Sequence, residues 1–201
     1  MLSNESAFDE PVRVGRLLAR LEVPWWIAGG WALDLSLGMR TRDHSDVDIA
    51  VLRKDQESVR GSLRPGWRFS VVVPHGGSGT RRAWRRGERL EPPIHEIHAE
   101  RYRGGQAEFL LQESTADEWV YRRDDRIRRS LDQIGAHSLL GLPVIAPDIA
   151  LLFKAKAPRE VDIADLVMML PSLQGTQLSW LRGAIGIAHP DSPFLELLPS
   201  N

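Results

Sequence analysis

The chain has 201 residues, no cysteine and 42% hydrophobic residues, enough for one sizeable core or for two small domains sharing an interface. Its formal net charge of −1 argues against a nucleic-acid coat or a membrane-surface binder, both of which show as a charge excess. The missing thiols remove disulfides, thiolate nucleophiles and cysteine-based zinc sites.

MLSNESAFDE is polar and acidic with no apolar core behind a basic start, and no run approaches the roughly 18 apolar residues of a membrane span, so a cytoplasmic protein is expected. PVRVGRLLARLEV, residues 11–23, sets Val14, Leu17, Leu18 and Leu21 at helical spacing, with Pro24 as its stop. WWIA (25–28) reads as a short buried strand closed by the Gly29-Gly30 turn, and WALDLSLG as a helix capped by Gly38. DVDIAVLR (46–53) is a strand by alternation, and Asp55 is a candidate N-cap for DQESVRGSL. WRFSVVV (67–73) is a further strand and PHGGSGT a loop. IHEIHAERY (94–102) and AEFLLQ (107–112) read as a strand pair, with WVYRR (119–123) as one more strand. After Pro147 the pattern is helical only, through APDIALLFKAKA, DIADLVMML and QLSWLRGAIGIA. These expectations divide the chain into residues 1–145 and a small helical domain, 146–201, packed together.

The chemistry starts at HSDVDIAVL (44–52). In a strand, Asp46 and Asp48 project from one face while Val47 and Ile49 go to the other. Two bare carboxylates that close repel each other, and a divalent cation between them makes the pair favourable; magnesium also leaves positions for phosphate oxygens. An isolated D-x-D pair also fits a solvated strand edge. Here a Gly-Gly turn at a helix N-terminus lies upstream, where backbone N–H groups receive phosphate.

IAGGWALDLSLGMRTRDHSDVDIAVL resembles the signature of the nucleotidyltransferase superfamily related to DNA polymerase β. It is most similar to the branch of aminoglycoside 2″-O-nucleotidyltransferase and the lincosamide nucleotidyltransferases, through the GGWAxD start and TRDHSDVD. The resemblance continues weakly through DEWVYRRD (117–124), APDIALLFKAKAPREVDIADL (146–166) and the terminal WLRGAI and HPDSPFLELL. It implies an α+β fold, a mixed β-sheet flanked by helices with a C-terminal helical domain. It also implies two Mg2+ ions, ATP or another NTP as donor, and transfer of a nucleoside monophosphate, AMP in the first instance, to a hydroxyl.

On that resemblance Asp46 and Asp48 are metal ligands and Gly29 and Gly30 approach the β- and γ-phosphates. A third carboxylate is expected from a neighbouring strand, with Glu96, Glu100, Glu108 and Glu113 as candidates and Glu108 the matching position. Glu108 would complete the metal site and act as the catalytic base. Arg42 and His44 precede the metal strand and could meet triphosphate oxygens, and Lys154 is favoured over Lys156 for a phosphate contact, since the two diverge by roughly 200° on a helix. HGGSGT lacks the GK[ST] ending of a P-loop. In HEIH, strand alternation sends His95 and His98 to opposite faces, so no zinc site is expected there. RRAWRRGER (81–89), with Trp84 as a stacking platform, suggests nucleic acid, but nearby acids balance the arginines and a solvated surface is expected instead.

Two readings follow. The first is transfer to a small hydroxylated acceptor, such as an aminoglycoside- or lincosamide-like antibiotic, with neither membrane nor nucleic acid as partner. The alternative is a nucleotide-binding or protein-modifying nucleotidyltransferase module of a toxin-antitoxin or regulatory system. Fold alone does not choose the acceptor.

Overall fold

The computed structural model describes residues 7–199 except 64, 76, 77 and 103. Helix α1 (Asp9–Leu17) leads to β1 (Trp25–Ile27) and α2 (Gly29–Leu37), which Gly38 closes at φ +69°. Strand β2 (Asp48–Leu52), a 3-10 turn and α3 (Gln56–Ser62) follow. Strands β3 (Trp67–His75) and β4 (Ser78–Ala83) form one hairpin, β5 (Glu96–Arg101) and β6 (Gln106–Ser114) another. Four strands of three residues come next: β7 (Glu118–Val120), β8 (Arg128–Ser130), β9 (Gly135–His137) and β10 (Pro143–Ile145). The chain ends in α4 (Pro147–Lys154), α5 (Glu160–Met169), α6 (Gly175–Ala188) and α7 (Phe194–Leu197).

The strand order is β4-β3-β5-β6-β2-β1-β10-β9, with β7 and β8 branching from β6. The sheet is mixed: β2 runs parallel to β6 and β1 parallel to β10, the other pairs being antiparallel. This is the α+β architecture expected. Along β2 the side chains alternate between two apolar clusters. Ala50 and Leu52 join α2, β1, β10 and the C-terminal helices, while Ile49 and Val51 join α1, α3 and the inner residues of β3, β5 and β6. The helices after residue 146 therefore share a continuous core with α2. No helix among the described residues is long and apolar enough to cross a membrane.

Several local expectations are corrected. The helix over 11–23 ends at Leu17, because Leu18 and Leu21 reach the core through a tight turn in which Leu21 N–H donates to the Leu18 carbonyl at 2.8 Å. The PHGGSGT loop is mostly strand: the β3–β4 ladder runs to His75↔Ser78, so pairing overrides the glycine-rich composition up to residues 76 and 77, which lie outside the described residues. Strand β2 begins at Asp48 rather than Asp46. Asp55 holds the N-cap position of α3 but makes no side-chain capping bond. Trp84 is buried, its Nε1 donating to the Glu88 carbonyl and Arg60 stacked 4.0 Å from its ring centroid, so it offers no stacking platform.

Candidate active site

Strand register assembles the acids. Asp48 on β2 lies opposite Glu108 on β6, Glu108 lies opposite His98 on β5, and Glu96 is two residues before His98. Period-two alternation puts all four side chains on one sheet face, with Asp46 just ahead of the ladder. Of the other acids considered, Glu113 pairs with Arg53 at 2.6 Å and Glu100 with Arg81 at 2.8 Å. Asp46, Asp48 and Glu108 have no hydrogen-bonded arginine or lysine among the described residues.

The electrostatic consequence is direct. Burial, then repulsion from Glu108, Asp46 and Glu96, pushes the Asp48 carboxyl up to about 7, with Lys154 acting against them. Burial, followed by Glu96 and Asp46, raises Glu108 as well. Neighbouring carboxylates in a half-buried site ionise only at a cost unless a cation meets them.

Gly29 sits at φ +62°, and a Cβ there would lie 2.5 Å from Asp48 Oδ2. The bare glycine thus lets the carboxylate approach the first turn of α2, whose unpaired N–H groups carry positive partial charge. At Gly30 a Cβ would collide with Arg42 Nη2 and the His44 ring. Those two side chains are held from behind: Arg42 forks onto Asp165 at 2.9 and 3.0 Å, and His44 Nε2 lies 2.7 Å from buried Asp34. Neither lines the cavity described next, so the structure places both as supports of the turn.

A cavity of about 400 Å³ opens over the acid face, its lining including Gly29, Asp48 and Glu108 together with Arg122, Lys154 and Lys156. A second cavity, of about 620 Å³, includes Asp46, Glu108, His98, Glu100, Arg81 and Arg101. Glu108 lines both. Lys154 is tied to Asp162 at 2.6 Å and to Asp165 at 3.0 Å. Lys156 shares the cavity because α4 ends at Lys154, so the helical divergence of the two lysines does not apply.

Sequence reasoning missed Arg122 and His95. Arg122 lines the cavity with no hydrogen-bond acceptor among the described residues; the Phe153 ring lies 5.6 Å away, and Glu96 and Glu113 are near enough to attract it. Burial and then neighbouring Arg123 lower its pKa, which favours an incoming anion. His95 also lines the cavity, and burial, Arg122 and Arg53 push it down to about 4. Arg53 Nη2 donates to His95 Nδ1 at 2.9 Å, leaving the ring proton on Nε2. The DEWVYRRD segment was the available signal for Arg122, since it puts basic residues directly after a strand.

Comparison with known proteins fits this geometry. The family model described as aminoglycoside-2″-adenylyltransferase matches residues 12–66, the segment carrying the Gly-Gly turn and both aspartates. No curated protein matches. Among solved structures, lincosamide antibiotic adenylyltransferase LnuA, lincomycin-bound, aligns at 18% identity over 78% of this chain and 92% of its own, with a TM-score of 0.52. ANT(2″)-Ia in complex with adenylyl-2″-tobramycin aligns at 18% identity over 88% of this chain and 96% of its own, with a TM-score of 0.54. The chain thus has the fold of these nucleotidyltransferases over most of its length, and its front segment bears the sequence likeness to the aminoglycoside-2″-adenylyltransferase family.

Proposed function

We propose that the protein is a magnesium-dependent nucleotidyltransferase that moves a nucleoside monophosphate, AMP from ATP first among them, onto a hydroxyl of a small molecule of the aminoglycoside or lincosamide kind. The carrying observation is the register pair Asp48–Glu108, with Asp46 beside it and the Gly29 turn closing over Asp48. Three carboxylates without an arginine or lysine partner fit a hard divalent cation. Asp46, Asp48 and Glu108 would hold magnesium, which when bound neutralises charge on the triphosphate.

The chain's own groups account for the remaining steps. The N–H groups at the start of α2 and the Arg122 and Lys156 side chains share the lining of the smaller cavity and would receive the phosphates. Glu108, lining both cavities, is placed to take the proton from an acceptor hydroxyl in the larger one. The hydroxyl oxygen bonds to the α-phosphorus as the α–β bridging bond breaks, and pyrophosphate leaves with that electron pair. His95 contributes a neutral donor at the cavity wall.

The test is pyrophosphate release with each NTP and magnesium against a panel of aminoglycosides and lincosamides, with the adduct mass read for each positive. An adenylylated product supports the reading. Absence of release with every donor and acceptor, by protein that binds Mg·ATP, overturns it.

A further inference from the structure

On the flank of Glu108 away from Asp48 lies a group of side chains of which nucleotidyl transfer uses only Glu108 itself. Glu96, His98 and Glu108 each offer one ligand atom such that all lie within 4.8 Å of one another. His98 Nδ1 is 3.4 Å from Glu108 Oε2, and Nε2 is 3.8 Å from Glu96 Oε2. Both separations exceed the roughly 2.7–3.2 Å of a good N–H···O bond. An ion takes only one of the two ring nitrogens, so the spacing that admits a shared ion is the 4.8 Å limit on one atom from each residue rather than these two contacts.

A second observation is independent of spacing. Nε2 of His98 is buried and has no hydrogen-bond partner, a state that native structures rarely leave unexplained. The two residues of β5 and the one of β6 stand on adjacent, laddered strands, so the three are fixed relative to each other. Of the arginines nearby, Arg81 is occupied by Glu100 at 2.8 Å, and Arg122 attracts Glu96 without a hydrogen bond to it among the described residues.

We propose that Glu96, His98 and Glu108 form a second cation site, selective for a first-row transition ion such as Zn2+ over magnesium. The imidazole decides the class: nitrogen donors suit zinc and its neighbours, whereas magnesium takes an all-oxygen shell. His95 lies ahead of β5 and is engaged by Arg53 at 2.9 Å, and a cross-strand carboxylate completes the set in place of a second histidine. Because Glu108 belongs to both groups, an ion here withdraws it from the acceptor hydroxyl. Zinc therefore inhibits transfer without displacing the nucleotide, a consequence that rests on the function proposed above.

Tag-free, chelator-stripped protein is titrated calorimetrically with ZnCl2 and, separately, with MgCl2. One zinc is expected to bind, and His98→Ala and Glu96→Gln should each weaken it by at least about tenfold, since even outer-shell changes cost that much. Asp46→Asn should leave zinc affinity unchanged. If His98→Ala fails to fold, Glu96→Gln carries the measurement. Zinc affinity equal in the parent and in both site variants, or lost only in Asp46→Asn, overturns the site. Failure of the transferase reading would leave zinc binding in place, whereas failure of this site would leave magnesium-dependent pyrophosphate release in place.

Discussion

Asp48 and Asp162 line the same cavity and are the same residue type, yet their surroundings drive them in opposite directions. Asp48 is raised to about 7 by burial and by other acids. Burial also works against ionising Asp162, but hydrogen bonds from Arg159 and Lys154 outweigh it and hold that carboxyl well below the usual range. Asp165 is lowered in the same way, with Arg42 and Lys154 outweighing burial. Lys154, Asp162 and Arg159 line the cavity as part of a closed network, Arg42–Asp165–Lys154–Asp162–Arg159, whose charges satisfy one another. Asp46, Asp48 and Glu108 form an open set, with no arginine or lysine bonded to them among the described residues. Buried charge that is already paired fixes a shape, and buried charge that is unpaired marks where a ligand belongs.

The contrast can be broken first in the open set. Asp46→Asn or Asp48→Asn should reduce magnesium-dependent transfer on the order of a thousandfold, a loss of several kcal/mol of transition-state stabilisation, measured as pyrophosphate release; undiminished transfer would remove the metal assignment. Glu108→Gln should keep NTP affinity while losing about a hundredfold in transfer rate. A parent rate in Glu108→Gln together with a collapse in Glu96→Gln would move the third carboxylate to β5.

In the closed network the same charge deletion should cost stability. Asp165→Asn leaves Arg42 and Lys154 each short of a partner and should lower unfolding free energy by about 2 kcal/mol, less than for a fully buried pair because the Arg42 side chain is 26% exposed. Thermal denaturation would show a fall of about 4–8 °C. The smallest effect has the opposite sign. With a folded pKa of about 7 against 3.8 for the free group, ionising Asp48 costs the metal-free folded state something. That cost is absent below about pH 4, grows up to pH 7 and is constant above. Asp48→Asn should therefore raise the melting temperature in chelator by about 2–4 °C at pH 8 and leave it unchanged at pH 4. A variant less stable than the parent at pH 8 would show that Asp48 is paired after all.

What the sequence made legible was local. The spacing of Asp46 and Asp48, a lone acid on the apolar strand around Glu108, and two glycines before a helix are each readable from a few neighbouring residues. The fold brings those positions together. Arg42 was legible as basic but not as engaged, because its partner Asp165 lies 123 residues away. His44 was read without Asp34, which the helix pattern had already spent on α2. Lys156 depended on where α4 stops, a boundary that one residue decides. Strands β8, β9 and β10 have three residues each, too few for alternation to show, although β10 is what carries the C-terminal helices to the side of β1. The Glu96–His98–Glu108 group needed the β5–β6 register, which no run of residues states.

Strand β2 occupies an interior place in the sheet, flanked by β6 on one side and β1 on the other. Its amides should then be among the slowest in the molecule to exchange with deuterium, opening only with the whole domain. The β3–β4 hairpin at the rim, by contrast, can fray and reclose without disturbing Asp48. The placing of Asp48 and Glu108 is inherited from the stability of the sheet, whereas Asp46, Arg122 and Lys156 stand outside its strands, so changes in those loops should alter activity while the protein stays folded.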